Sequence, residues 1–313
     1  MRNLAVIGVG GVGGFFGGKL CQLIPEGLRV AFIARGEHLR AIRDHGLLLS
    51  TESEGDLVYR PTLATDRVED IQNADLILLC VKEFDLRSAL LRLKPIVRPA
   101  TIILPLLNGM DVYERVRTII ANAVVLPACV YVGTHIERPG KITQRGGACK
   151  ILFGPDPARP DFDPAPLLDL FTRANIKHEW TTRVQQEIWT KFIFICAYGT
   201  VTAAHDKSVG EVFASDELRA EVRALMDEIV TLALAQKIEL PPDVIDTSLA
   251  KAKAFPFETK TSFQRDFERL DKPDERNLFA GAVIQRAAEK NNPTPATARL
   301  FGILNTLKPP NLK

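Results

Sequence analysis

The sequence is short of several things that would commit it to a particular chemistry. Its 313 residues carry a formal charge of only +2, so no excess of one sign points to nucleic acid or to a membrane surface. Cysteine is scarce. The five, Cys21, Cys80, Cys129, Cys149 and Cys196, are scattered, odd in number and without metal-ligand spacing. That argues against a metal site or a disulfide frame and fits a reducing cytoplasm. No apolar run reaches the length of a membrane span. No signal segment is expected, because strand character begins almost at Met1. No repeat of fixed period and no low-complexity tract is visible. What remains is an ordinary globular composition, 46% apolar and 25% charged, with length for about two domains.

The chain is organised around its start. Met1 to Gly8 is an apolar run of strand character, followed by Gly8-Val9-Gly10-Gly11-Val12-Gly13 and then by Phe15 to Leu20 at helical spacing. Strand, glycine turn and helix in that order fit the G-x-G-x-x-G dinucleotide fingerprint, with Gly8, Gly10 and Gly13 in its slots. Gly8 permits the tight turn, Gly10 lets the backbone approach a pyrophosphate, and Gly13 lets helix and strand pack closely. The helix start then offers free N–H groups and the positive end of its dipole to the phosphates. The bland alternative is a glycine-rich turn that holds nothing.

Leu28 to Ala34 reads as the second strand, and its tip decides the cofactor. An acid there suits the ribose hydroxyls of NAD, whereas an arginine suits the 2′-phosphate of NADP. Arg35 stands there, with no acid before Glu37, and a guanidinium matches a phosphate through charge-assisted, bidentate hydrogen bonds. NADP (NADPH) is therefore expected. Ala74 to Val81 is a continuous apolar run, as a strand buried on both faces should be. Lys82 at its carboxyl end is a candidate cofactor contact or a snorkelling surface lysine. Thr101 to Leu107 is a further strand. Asn108 at its tip could cap the next helix or reach nicotinamide or substrate, and the two roles are compatible. Ala123 to Val132 reads as one more strand. Strands and helices that alternate in this way predict a Rossmann-type, doubly wound parallel sheet.

Pro155 to Pro166 holds five prolines and reads as a loop. The character changes near Thr181. Val184 to Ala204, Glu211 to Gln236, Pro242 to Lys253 and Asn277 to Asn291 all read as helices. The expected division is a nucleotide-binding α/β domain over 1–181 and an all-α substrate and dimerisation domain over 182–313. Small-molecule sites tend to lie between such domains. The apolar faces of the helical half would serve a homodimer or its own core. Lys191 sits among Trp189, Phe192 and Phe194. It is an acid–base candidate if desolvated and otherwise an ordinary helix lysine. Ser262 could hold a substrate carboxylate or face solvent. Glu275, just ahead of the last long helix, could hold ligand groups or favour the helix start.

Taken together, these segments resemble the 2-dehydropantoate 2-reductase (ketopantoate reductase) family over nearly the whole chain. The resemblance is carried by the glycine turn, Arg35, Asn108-Gly109-Met110, Glu187-Ile188-Trp189-Thr190-Lys191, Thr261-Ser262-Phe263-Gln264-Arg265-Asp266, and Glu275 ahead of Gly281. It implies NADPH-dependent reduction of a branched 2-oxo acid in pantothenate biosynthesis. Lys191 would be the general acid, Asn108 would lie between lysine, substrate and cofactor, Ser262 would bind the substrate carboxylate, and Glu275 would help bind cofactor and substrate. The family usually follows its lysine with asparagines four and eight residues on, and here those positions are Ile195 and Gly199. Asp85 and Asp111 also differ from the commoner residues of their segments. Lost amides weaken selection for a hydroxylated substrate, so an apolar 2-oxo acid is a second expectation.

Overall fold

The structure is a computed structural model and describes residues 1–309. Its element order follows the sequence pattern. The opening apolar run is β1 (Asn3–Ile7), and the glycine turn feeds α1 (Gly11–Cys21). Then come β2 (Arg29–Ile33), α2 (Gly36–His45), β3 (Leu47–Thr51), β4 (Gly55–Tyr59), β5 (Leu63–Thr65), β6 (Leu76–Leu79), α3 (Glu83–Leu93), β7 (Ile102–Pro105), α4 (Val112–Arg117) and β8 (Val124–Val125). After these run β9 (Ala128–Tyr131), β10 (Thr134–Arg138), β11 (Lys141–Gln144), β12 (Lys150–Phe153), α5 (Ala165–Arg173) and β13 (Lys177–Trp180).

The central sheet has six strands in the order β5-β2-β1-β6-β7-β8, and every pairing in it is parallel. The order reverses beside β1, which makes the β1/β6 boundary the switch point where open α/β sheets take ligands. β6 and β7 are buried along their whole length, as expected of strands covered on both faces. α1 lies very close to the sheet, because its glycines carry no Cβ: one added at Gly17 would stand 2.8 Å from the ring of Phe32. Two smaller sheets, β10-β11-β3-β4 and β13-β12-β9, complete this part.

One expectation fails here. The single strand expected over Ala123 to Val132 is broken at Leu126-Pro127. β8 pairs with β7 in the central sheet, whereas β9 pairs with β12 in another. Proline has no N–H to give a ladder, and the carbonyl of Pro127 instead accepts the N–H of Gly154. The proline-rich loop is tied down rather than slack. Asp156, fully buried, accepts from the N–H groups of Val125 and Ala158 (2.9 Å each) and from the hydroxyl of Tyr113 (2.8 Å), and it pairs with Arg117.

Packing divides the chain into two compact units, Met1–Val184 and Gln185–Lys313. The second is helical: α6 (Val184–His205), α7 (Val209–Ala214), α8 (Asp216–Ala235), α9 (Val244–Ala250), α10 (Ser262–Phe267), a π-helical turn at Asn277–Gly281, α11 (Ala282–Ala288) and α12 (Pro295–Leu307). The helix expected over Glu211 to Gln236 is two helices. Ser215 is extended between them and its hydroxyl accepts the N–H of Leu218, a local cap that competes with helix continuation. Ser208 and Glu211 form a capping box at the start of α7. The carboxylate of Glu228 on α8 accepts from Ala296 N–H (2.7 Å), Thr297 N–H (2.9 Å) and the Thr297 hydroxyl (2.6 Å). It thereby satisfies the first turn of α12. The Rossmann-type parallel sheet and the helical carboxyl-terminal part are thus both present.

Candidate active site

Strand register assembles the amino-terminal half of the candidate site. Ile7 is paired with Ile33 and Leu79, and Leu79 with Pro105. These residues form a row across β2, β1, β6 and β7 at their carboxyl ends. Gly8, Arg35, Lys82 and Asn108 all lie within three residues beyond it, so segments far apart in sequence emerge at one sheet edge.

The glycine turn fits a pyrophosphate. Gly8 has φ +91, and a Cβ there would stand 2.8 Å from the carbonyl oxygen of Cys80. A Cβ on Gly13 would overlap the carbonyl oxygen of Gly8, while around Gly10 nothing lies within 4 Å. The turn is therefore closed against the protein at Gly8 and Gly13 and open at Gly10. α1 has no side-chain cap and no acidic residue in its first turn, so the N–H groups of Gly11, Val12 and Gly13 are oriented as an anion cradle. Gly11 has a role the sequence did not disclose: a Cβ there would stand 2.7 Å from the hydroxyl of Thr134, at the start of β10. The second sheet thus closes against the helix start.

Arg35 is the extended residue ahead of α2, is largely exposed and is ion-paired with Asp85 in the first turn of α3. Lys82 is exposed ahead of the same helix. Asn108 is half-buried, and it does not cap α4, which corrects one of the two roles read for it. Gly109 takes φ +129 and carries the chain on, so that α4 begins only at Val112, behind Asp111. Arg115 bridges the two strand-end segments, with Nε on Asp111 at 2.8 Å and a terminal nitrogen on Glu83 at 2.9 Å. Asp111 and Glu83 flank the Asn108 and Lys82 positions, so this bridge braces both.

In the helical unit, Lys191 is half-buried in the middle of α6, and Ile195, one turn on, is half-buried too. Gly199 is buried, and a Cβ there would stand 3.5 Å from Phe263. Three rings join the segments that carry the predicted residues. Phe192, next to Lys191, stacks on Phe279 at 6.2 Å, and Phe279 meets Phe263, next to Ser262, at 5.3 Å. Ser262 is exposed at the first position of α10, behind the capping Thr261. Glu275 is 4% exposed, and its carbonyl accepts from both Leu278 and Phe279 as the π turn opens. Such turns are frequent at functional sites.

The residues on either side of Glu275 form a buried network that sequence reading missed. Arg276 grips Asp274 with two hydrogen bonds, at 2.8 and 2.6 Å, and reaches the carbonyls of Leu304 and Lys308 and the amide oxygen of Asn305. Lys308 Nζ is 3.2 Å from Asp274. Burial pushes the Asp274 carboxyl up, but the hydrogen bonds from Arg276 and the charges of Arg276 and Lys308 outweigh it and hold the carboxyl below its ordinary range. The only sequence signal is the charge density of Glu258 to Asn277, which a solvated helix face would also produce.

Burial pushes the thiols of Cys21 and Cys196 up to about 12 and that of Cys80 higher still, so these three stay protonated near neutral pH and are poor nucleophiles. Half-buried Lys251 has its ammonium pKa lowered by burial, opposed by the charge of Glu187. Among the described residues no group of three or more His, Cys, Asp or Glu is placed to hold a metal ion, and no helix is long and apolar enough to cross a membrane.

Comparison with known proteins gives a consistent result. The family model described as ketopantoate reductase PanE/ApbA matches residues 4–157, and that of its C-terminal part matches residues 183–308. A crystal structure of a 2-dehydropantoate 2-reductase from Porphyromonas gingivalis is 31% identical, with a TM-score of 0.80 over 97% of this chain and 99% of that one. A PanE/ApbA family ketopantoate reductase from Ralstonia eutropha is 28% identical, with a TM-score of 0.88 over 98% of each chain. A curated 2-dehydropantoate 2-reductase of Streptococcus pyogenes is 28% identical over 270 residues, 83% of each chain.

Proposed function

From the premise that the chain belongs to the ketopantoate reductase PanE/ApbA family, and so is an oxidoreductase dependent on a pyridine nucleotide, we propose that it reduces a 2-oxo acid to a 2-hydroxy acid with NADPH. The foremost substrate is 2-dehydropantoate, which would place the enzyme in pantothenate biosynthesis, in the cytoplasm. The observation that carries the reading is the row of strand ends that brings Gly8–Gly13, Arg35, Lys82 and Asn108 to one edge of the sheet.

In this reading residues 1–181 hold the cofactor. The N–H groups of Gly10, Gly11, Val12 and Gly13 face the pyrophosphate, while Val9 lines the same turn with its own N–H held by the carbonyl of Ile33. Arg35 faces the 2′-phosphate, and Lys82, Asn108 and, from the second unit, Glu275 face further groups of the nucleotide. When bound, the nicotinamide supplies the hydride. The ammonium of Lys191 gives its proton to the carbonyl oxygen of the substrate and stabilises the negative charge that grows there. The Asn108 amide orients that oxygen, the Ser262 hydroxyl hydrogen-bonds the substrate carboxylate, and Glu275 anchors cofactor and substrate. Residues 182–313 would supply the substrate side and the surface of a homodimer.

A second reading, reduction of a more apolar 2-oxo acid, is favoured by Ile195 and Gly199, because Phe263 closes on Gly199 from α10. NADPH oxidation with a panel of 2-oxo acids separates the two. Turnover of 2-dehydropantoate no better than that of 2-oxoisovalerate would end the pantothenate assignment. Lys191→Met should lower kcat by a factor of about 100 or more while NADPH still binds. Unchanged turnover would remove Lys191 from the chemistry, and no turnover of any 2-oxo acid by the parent protein would favour a nucleotide-binding role without catalysis.

A further inference from the structure

The ion pair between Arg35 and Asp85 sets this amino-terminal unit apart from a plain 2′-phosphate site. Arg35 stands just past the end of β2, and Asp85 lies in the first turn of α3, past the end of β6. β2 and β6 are the two neighbours of β1 in the sheet. The pair therefore spans the carboxyl edge of β1, where the glycine turn begins. Arg35 is 71% exposed and Asp85 28%, so solvent and a ligand can both reach the guanidinium.

A 2′-phosphate placed there would compete for the terminal guanidinium nitrogen that Asp85 already holds. It would also bring a dianion up to a carboxylate, and like charges at such range repel. A cofactor with a free ribose hydroxyl meets neither obstacle, because a hydroxyl can donate to a carboxylate, the usual arrangement of an NAD site. We propose that Asp85 is a specificity-determining residue for the cofactor: it occupies Arg35 when no nucleotide is bound and narrows the preference for NADPH over NADH. The proposal rests on the reading of Arg35 as the 2′-phosphate contact. It assigns a physical effect to the acid at position 85, and it makes cofactor preference a balance between two residues beyond the strands that flank β1.

The test is fluorescence titration of NADPH and NADH, each alone, on the full-length parent protein and on Asp85→Asn, Arg35→Ala and the double variant. Thermal melts check that each variant is folded. Asp85→Asn should tighten NADPH about fivefold, the upper end of what an exposed ion pair is worth, and leave NADH unchanged or weaker. In the Arg35→Ala background that gain should shrink, because the competed-for donor is gone. Weaker NADPH binding by Asp85→Asn would mean that the carboxylate positions the guanidinium instead, and an equal change for both cofactors would mean that it does not sense the 2′-phosphate. Either result overturns the proposal while Arg35→Ala still discriminates between the cofactors. If Arg35→Ala weakens NADPH and NADH alike, the 2′-phosphate reading fails first and the proposal falls with it.

Discussion

Gly10 and Gly13 differ by three positions in one turn, and the structure predicts opposite outcomes for the same added methyl. Gly10 has φ −85 and ψ −159, an extended conformation open to any residue, and nothing stands within 4 Å of its missing Cβ. Gly10→Ala should therefore leave the fold intact. It should even stabilise it by about 0.4–1 kcal/mol, through the lower entropy of the unfolded chain. Its effect should appear only on the ligand. The methyl would stand where a pyrophosphate has to approach the backbone, and loss of one hydrogen bond from N–H to a charged oxygen costs about 1.5–3 kcal/mol. The dissociation constant for NADPH should then rise by a factor of about 10–100. Gly13→Ala places its methyl inside the carbonyl oxygen of Gly8 and 3.0 Å from Cβ of Cys80. The first neighbour is backbone and cannot swing away, so the cost belongs to the fold, at the upper end of overpacking penalties or about 3 kcal/mol. Urea denaturation without cofactor, paired with NADPH titration, reads the two effects separately. A Gly10→Ala protein that binds NADPH as the parent does would refute the assignment of this turn to the pyrophosphate. A Gly13→Ala protein as stable as the parent would refute the packing argument.

Two further outcomes concern the buried charges. Because Asp274 is held below its ordinary range, the unfolded chain binds the proton more tightly than the folded one does. The stability it contributes is full above the ordinary carboxyl value of about 3.9 and is lost as pH falls through the lower folded value. The stability gap between parent and Asp274→Asn should therefore narrow in acid, and a gap that stays constant from neutral pH to pH 3 (a range of about 4 units) would refute the linkage. Asp156→Ala takes the ion-pair partner from Arg117, which keeps the carbonyls of Ala121 and Ala123 and the Tyr113 hydroxyl. It also leaves the N–H groups of Val125 and Ala158 without their acceptor, so it should cost about 3 kcal/mol in denaturant melts. A loss under about 1 kcal/mol would show that water takes over those donors.

Much of this protein was legible along the chain, where the signal is local. The runs Met1 to Gly8, Leu28 to Ala34, Ala74 to Val81 and Thr101 to Leu107 marked β1, β2, β6 and β7, since a strand covered on both faces reads as a nearly continuous apolar run. The spacing of Gly8, Gly10 and Gly13 marked the turn, because the fingerprint lies within six consecutive residues between a strand and a helix. Helical periodicity marked the second half. The errors came from single residues that overrule their surroundings: Pro127, which ends a strand inside an apolar run, and Ser215, which interrupts a helix by capping the next.

What could not be read in this way depends on register and on partners far apart in sequence. That Arg35, Lys82 and Asn108 share an edge follows from the pairing of Ile7 with Ile33 and Leu79 and of Leu79 with Pro105, a register that no local pattern specifies. The ion pair of Arg35 and Asp85, that of Arg115 and Glu83 and the contact of Gly199 with Phe263 join residues between 32 and 64 positions apart. The burial of Asp274 against Arg276 is invisible in sequence because composition cannot tell a charge in water from one buried against its partner. Short-range sterics and periodicity are written into neighbouring residues, whereas desolvation and ion pairing exist only once distant segments have closed over one another.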